Sequence, residues 1–121
     1  MNRVTLIGRL TKDPELRQTS SGIGVATFTL AVDRRGKDKQ TDFFNIVCWR
    51  VLADNAAKYL GKGDRAGVHG SLQTRSYEAQ DGTKRYVTEI VADEVEFLET
   101  KKKEQDIPFV PDDEDMSELP F

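Results

Sequence analysis

The stretch TDFFNIVCWRVLADNAAKYLGKG, residues 41–63, decides the fold because the spacing of its apolar residues changes halfway along it. As far as Trp49 the residues alternate between two faces, as they do in a β-strand. Beyond that point Leu52, Ala56 and Tyr59 recur at helical spacing, and the two glycines that follow favour an end to the helix. We therefore predict a strand followed directly by one short helix.

The segments on both sides of this stretch have the period of two that is typical of strands. Residues 4–10, 24–32, 65–77 and 85–91 form the other strand candidates. Between the last two lies Asp81-Gly82, a dipeptide typical of a two-residue hairpin turn in which both central residues take positive φ. The predicted order is therefore three strands, a helix and two strands.

This order favours an all-β fold, namely a five-stranded oligonucleotide-binding (OB) Greek-key barrel with one short helix after strand 3. A plain antiparallel sandwich is the alternative, but it has no particular use for a helix at that point. We expect residues 1–100 to form this single domain. Residues 101–121 are charged and rich in proline, so we expect a disordered acidic C-terminal tail.

The charges are divided unequally between these two parts. All 18 Lys and Arg lie at or before Lys103, and seven of the 21 acids lie beyond it. Residues 1–103 therefore carry a net charge of +4, and residues 104–121 carry −7. The asymmetry indicates a basic binding domain joined to an acidic tail, and a solvated surface with a solubilising end is the alternative.

Aromatic residues occupy both faces of the strand at 41–50. Alternation divides its residues into two sets: Phe44, Ile46 and Cys48 against Phe43, Asn45, Val47 and Trp49. The polar Asn45 and Arg50 favour the Phe43/Trp49 face as the open one. Aromatic rings beside cations suit a binder of single-stranded nucleic acid, because every base has a face that can stack. Strand aromatics also commonly fill a core, and these residues alone leave both interpretations open.

Several other functions lack the residues they need. His69 is the only histidine and Cys48 the only cysteine, so we expect no disulfide, no metal site and no cofactor. No nucleophile and base are spaced to support an enzyme. No apolar run approaches the roughly 20 residues of a membrane span, and we expect a cytoplasmic protein with no membrane partner.

Five stretches of the chain resemble the bacterial single-stranded-DNA-binding protein family. They are NRVTLIGRLTKDPELR at 2–17, VATFTLA at 25–31, TDFFNIVCWR at 41–50, GVHGSLQTRSY at 67–77 and the terminal LPF. The resemblance implies a non-catalytic homotetramer that coats single-stranded DNA during replication, repair and recombination. It also implies association with the nucleoid.

The resemblance assigns roles to individual positions. Base stacking falls to Phe43, Trp49 and Tyr77. Polar and phosphate contacts fall to a wider set: Arg3, Arg34, Arg35, Lys37, Asn45, Arg50, Lys62, Arg75 and Arg85. Phe44 is implied to be structural, in the core or between subunits. The tip is implied to dock replication, repair and recombination enzymes through Asp112, Asp113, Glu114, Asp115, Glu118, Leu119, Pro120 and Phe121.

Three features depart from the family pattern. The loop at 33–40 has no aromatic residue, so one stacking position is missing. The linker to the tip is short, and the sequence DIPF at 106–109 resembles an internal copy of the tip without a free carboxylate. An RNA-binding barrel and a structural oligomer that acts only through its tail are the rival functions. Cold-shock barrels, the RNA-binding example, are shorter and lack the acidic tip.

Overall fold

Six strands and one helix make up the described part of the chain. The computed structural model describes residues 1–37 and 39–100. In chain order the elements are β1 (Val4–Leu10), β2 (Glu15–Gln18), β3 (Gly24–Asp33), β4 (Thr41–Trp49), α1 (Val51–Tyr59), β5 (Arg65–Glu78) and β6 (Lys84–Glu99). The helix begins directly after β4, as the change of apolar spacing predicts.

The sheet closes on itself into a barrel. Its strands follow the order β1-β5-β6-β4-β3-β2, and β1 also pairs with β3 through Arg9 and Leu10. The pairings are antiparallel except that of β4 with β6, which run parallel where Ile46 meets Ile90. The closed ring thus contains five strands, β2 lies outside it beside β3, and α1 follows the third strand of the ring. The predicted OB barrel is confirmed.

Strand β2 is an element that the sequence pattern does not predict. Its sequence ELRQ contains one apolar residue, Leu16, so it has no alternation of apolar and polar positions. All four residues are exposed. The strand forms because its main chain pairs with β3, from Glu15 opposite Thr27 to Gln18 opposite Gly24. Backbone hydrogen bonds rather than buried side chains therefore define this edge of the sheet.

The hairpin between β5 and β6 turns where Asp81-Gly82 predicts it, but the two-residue turn type is wrong. Only Gly82 has positive φ, at 85°, and its N–H donates to the carbonyl of Ala79 at 2.9 Å. The Ala79 N–H donates to the carbonyl of Thr83 at 2.8 Å, which encloses a three-residue loop. Asp81 instead accepts the Thr83 N–H with its side chain at 3.0 Å, so it stabilises the turn without positive φ.

The β5–β6 hairpin extends beyond the barrel. Every residue of β5 from position 72 to its end is exposed, whereas the first half of the strand is mostly buried. Strand β6, predicted at 85–91, is longer than predicted and continuous from Lys84 to Glu99. Two register shifts in the barrel half let β6 bend around the core while its outer half stands in solvent.

Aliphatic side chains from the strands and the helix fill the core. The largest fully buried residues are Leu30, Ile46, Leu60, Val68, Ile90 and Cys48. Helix α1 buries Ala53 and Ala56, whose short side chains let it lie close to the sheet. Burial raises the pKa of the Cys48 thiol to about 12, so the thiol stays protonated at neutral pH. Cys48 is fully buried, as expected for the strand face opposite to Phe43 and Trp49.

In the described part of the chain, no helix is both long enough and apolar enough to cross a membrane. The predicted tail at 101–121, with its docking tip and the internal DIPF copy, lies outside the described residues.

Candidate nucleic-acid interface

Strand β4 presents one face to the core and the other to solvent. Phe43 is 63% exposed and Trp49 is 42% exposed, whereas Ile46 and Cys48 are fully buried. Phe44 is half-buried and packs against the core. The predicted division of this strand into a buried and an open face is confirmed at these positions.

Val47 departs from that division, because it is buried although it alternates with the exposed residues. It pairs with Thr27 on β3 and with Val91 on β6. Flanked by a strand on each side, its short side chain is covered by its neighbours. On this face, the surface between the exposed rings of Phe43 and Trp49 therefore includes the buried apolar side chain of Val47.

The open face of β4 continues across the sheet onto the hairpin. Residues paired across neighbouring strands point to the same side, so Val91 carries the face from β4 to β6. Along the hairpin, Arg75 pairs with Val87 and Tyr77 pairs with Arg85. Tyr77 is 48% exposed. We call this side of the sheet the outer face; it carries six of the predicted contact residues, namely Phe43, Asn45, Trp49, Arg75, Tyr77 and Arg85.

Three of the predicted arginines form ion pairs with carboxylates of the same chain. Arg34 binds both oxygens of Asp42, at 2.9 and 3.0 Å. Arg75 binds both oxygens of Glu89 across the hairpin, at 3.1 Å each, and Arg85 lies 3.6 Å from Asp81. Two hydrogen bonds each orient the guanidinium groups of Arg34 and Arg75, so a phosphate has to compete with those carboxylates for the same N–H donors. The exposed Arg85–Asp81 pair is looser and competes weakly.

Hydrogen bonding lowers the pKa of two of these carboxylates. The bond from Arg34, aided by its charge, holds the pKa of Asp42 below its ordinary value. Hydrogen bonds from the side chain and main chain of Thr83 lower the pKa of Asp81, with a smaller contribution from Arg85. Both groups therefore stay ionised to a lower pH than an unpaired aspartate does. Their negative charge offsets part of the positive charge of the basic residues beside them.

Asn45 stands between the two exposed rings of β4. The Thr29 hydroxyl donates to its side-chain carbonyl oxygen at 3.3 Å. This bond fixes the orientation of the amide, so that its NH₂ group is the donor a base or a phosphate oxygen can meet on the outer face. A polar contact between Asn45 and a bound strand therefore stays a prediction, and the exposed position of this side chain is compatible with it.

The basic loop between β3 and β4 begins two residues after Val32 and leads into the strand that carries Phe43. The main-chain N–H of Arg34 donates to the carbonyl of Gln40 at 2.8 Å, which closes the loop at its base. Arg35 and Lys37 are exposed. The loop therefore places cations at the Phe43 end of β4.

The remaining predicted cations lie at separate places around the barrel. Arg3 precedes β1, where the Asn2 side chain binds both main-chain groups of Leu72 at 2.8 and 2.9 Å. Arg50 directly precedes helix α1 and Lys62 follows it, and a nine-residue helix is about 14 Å long. The structure thus does not bring Arg50 and Lys62 together, and each would contact a different part of a bound strand.

The family of the chain follows from comparison with known proteins. Residues 1–98 match the model of the "Single-strand binding protein family", a match that includes every strand of the barrel up to most of β6. The chain belongs to this family. The match includes the outer face and leaves the tail outside it.

Named relatives agree with this membership. The "Single-stranded DNA-binding protein 3" of Clostridium acetobutylicum is 60% identical over 103 residues, which are 82% of this chain and 72% of that protein. The "Single-stranded DNA-binding protein" of Bacillus cereus is 57% identical over 84% of this chain, but the match spans only 62% of the relative's length. The "Single-stranded DNA-binding protein 2" of Staphylococcus aureus is 46% identical over 100% of this chain and 99% of its own length. These names describe binding and no reaction.

Two exposed residues of this family member are not among the predicted contacts. Tyr86 is 75% exposed and pairs with Ser76, which puts it on the side of the hairpin opposite to Tyr77. An aromatic residue next to Arg85, soon after the hairpin turn, is a sequence pattern that could have marked Tyr86 as a candidate contact. Arg17 lies on β2, and no sequence signal could have placed it because β2 has no apolar pattern.

Proposed function

We propose that the chain is a non-catalytic protein that binds single-stranded DNA without strong sequence preference. Bases would stack on Phe43, Trp49 and Tyr77, and phosphates would meet the surrounding cations. The protein would thereby protect single-stranded DNA during replication, repair and recombination, in the cytoplasm and in association with the nucleoid.

The exposure of the three aromatic rings supports this proposal above all else. Phe43, Trp49 and Tyr77 are each between 42% and 63% exposed on one face of the sheet. Exposing large apolar rings offers folding no benefit, so rings that share an exposed face point to an apolar ligand. Stacking contributes about 1–3 kcal/mol per base, a range known from proteins of this class, and does not depend on which base is stacked.

The predicted polar contacts complete the proposed site. Asn45 and the arginines at 34, 50, 75 and 85 lie on the outer face or at its margins, and Arg3, Arg35, Lys37 and Lys62 extend the basic surface around it. Cations spread over such a surface bind phosphates wherever the strand crosses them, and this kind of binding weakens as salt increases.

The emission of Trp49 tests this function directly, because it is the only tryptophan in the chain. We expect a thymine oligomer to quench it strongly and an equal mass of duplex DNA to quench it little. Emission that stays unchanged at saturating oligomer would remove Trp49 from the site. An RNA oligomer of the same length provides the comparison with an RNA-binding barrel, and tighter binding of RNA would replace the proposed ligand.

Two further parts of the proposal concern assembly and partners. Residues 1–100 form the binding domain, and four copies assemble into a homotetramer around which DNA wraps. The half-buried Phe44 and the 51% exposed Ile7 on β1 support contacts between subunits. Sedimentation equilibrium that gives a monomer at micromolar concentration would contradict the tetramer and the wrapping.

The acidic tail at 101–121 is proposed to recruit replication, repair and recombination enzymes. The residues from Asp112 to Phe121 join acids to an aromatic ring, a combination that suits basic pockets. A pull-down comparing wild type, Phe121 deletion and Phe109→Ala tests this. Deleting Phe121 should nearly abolish capture, whereas equal losses from both changes would show that the internal copy also docks.

A further inference from the structure

A row of side chains crosses three strands at the edge of the outer face. Trp49 on β4 pairs with Val25 on β3, and Val25 pairs with Arg17 on β2. Paired residues of antiparallel strands point to the same side of a sheet. The indole of Trp49 and the guanidinium of Arg17 therefore stand on one face with a valine between them.

The dimensions of this row suit one extended ligand. Neighbouring strands lie about 4.8 Å apart, so the backbones at Trp49 and Arg17 are separated by about 10 Å. Trp49 is 42% exposed and the Arg17 side chain 75% exposed, whereas Val25 is short and partly buried. A base on the indole and a phosphate on the guanidinium can thus belong to neighbouring nucleotides.

The environment of Arg17 leaves its charge accessible. It makes an ion pair of 3.2 Å with Glu15 on the same strand, and that carboxylate side chain is 66% exposed. Ion pairs between exposed groups contribute little stability because water screens them. Glu15 is therefore a weak competitor for a phosphate.

We propose that Arg17 is a phosphate-binding residue and that the bound strand leaves the barrel across β2. The route would run from the hairpin over β4 and β3 to the sheet edge, roughly perpendicular to the strands. This inference rests on the proposed binding of single-stranded DNA and adds an exit side to it, where the sequence analysis placed no contact.

Three single variants of the full chain test the proposal, each titrated with a thymine oligomer at several salt concentrations while Trp49 emission is recorded. Arg17→Ala removes the proposed contact, and Glu15→Gln removes its competitor. Lys58→Ala is the matched control, because Lys58 is an exposed cation on α1 whose Nζ lies 5.3 Å from the Tyr59 ring centroid. It lowers the net charge equally but is not on the outer face.

Arg17→Ala should weaken binding about three- to tenfold at low salt, and the slope of log K against log salt should become shallower by about 0.7 per chain. Glu15→Gln should tighten binding, and Lys58→Ala should change the slope little. Equal effects of Arg17→Ala and Lys58→Ala would overturn the proposal, as would weaker binding in both Arg17→Ala and Glu15→Gln, because that pattern belongs to a structural ion pair. If wild type itself fails to bind the oligomer, the proposed function fails instead.

Discussion

Two adjacent phenylalanines on β4 have opposite surroundings. Phe43 is 63% exposed on the outer face, while Phe44 is half-buried against the core. The reason is the period of two, which sends neighbouring side chains to opposite sides of a strand. The same chemical group should therefore contribute to binding at one position and to stability at the next.

Alanine substitutions separate these contributions. Phe43→Ala, Trp49→Ala and Tyr77→Ala should each weaken binding of a thymine oligomer by about 1–3 kcal/mol while thermal unfolding changes little. Phe44→Ala should instead lower the free energy of unfolding by about 2–3 kcal/mol, because it removes packed apolar atoms. The assignment of faces would be inverted if Phe44→Ala lost affinity in a stable protein and Phe43→Ala did not.

Arg50 has a backbone conformation that lowers the stability of the fold. It has φ 60° and ψ −127°, a conformation that glycine adopts readily and other residues rarely do. Its N–H donates to Gly24 at 2.8 Å and its carbonyl accepts from Asp54 at 3.0 Å, so the chain is held there at both ends. Such a conformation costs about 1–3 kcal/mol in a residue with a β-carbon.

Arg50→Gly should therefore stabilise the fold by about 1 kcal/mol and raise the melting temperature. Arg50→Ala keeps the β-carbon and should give no such rise. Both variants lose the guanidinium, so they should weaken binding of a thymine oligomer equally. A lower melting temperature for Arg50→Gly than for Arg50→Ala would show that the conformation is not strained.

Among the elements, β1 and β3 close the barrel at a position where only glycine has room. A β-carbon on Gly8 would collide with the main-chain carbonyl of Ala31, which belongs to the facing strand. Gly67 is another buried glycine of the barrel, on β5, but a β-carbon there would meet its nearest atoms at an ordinary 3.7 Å. The two glycines therefore differ in what surrounds them, although both lie in strands.

Gly8→Ala should destabilise the protein by about 1–3 kcal/mol, since β1 must move away from β3 to make room. Gly67→Ala should be neutral or slightly stabilising, because glycine in a strand is entropically unfavourable. Urea unfolding of the two variants measures both effects. Similar free energies of unfolding for the two variants would mean that β1 and β3 can separate enough to accept a β-carbon at position 8.

For the whole molecule, the distribution of charge matters more than its sum. The part up to Lys103 carries +4, and the seven acids beyond it form a tethered polyanion. Short flexible linkers in general give effective concentrations of order millimolar, and we expect a comparable value for these acids near the barrel because few residues separate them from it. The acids should thus compete with DNA for the same cations.

Deleting residues 104–121 should tighten DNA binding at low salt and change it little at high salt. The attraction between exposed charges fades as the Debye length falls from about 10 Å at 0.1 M to about 3 Å at 1 M. Titrations of both forms across this range measure the difference. An equal gain at both salt concentrations would show that the tail acts by some means other than charge.

The sequence by itself determined what depends on neighbours along the chain. Alternation separates Phe43 from Phe44 because side-chain direction in a strand is local. The change of spacing after Trp49 predicts the helix, and Gly82 marks the hairpin turn, for the same reason. The charge asymmetry is likewise visible without any structure.

Only the tertiary structure decided what depends on distant partners. Strand β2 exists because β3 offers its backbone, and Val47 is buried because β6 arrives beside it. Arg75 finds Glu89 across the hairpin, and Arg17 joins the row of Trp49 across two strand pairings. Register sets each of these contacts, and register emerges only when the barrel closes, because a shift of one residue exchanges the two faces of a strand.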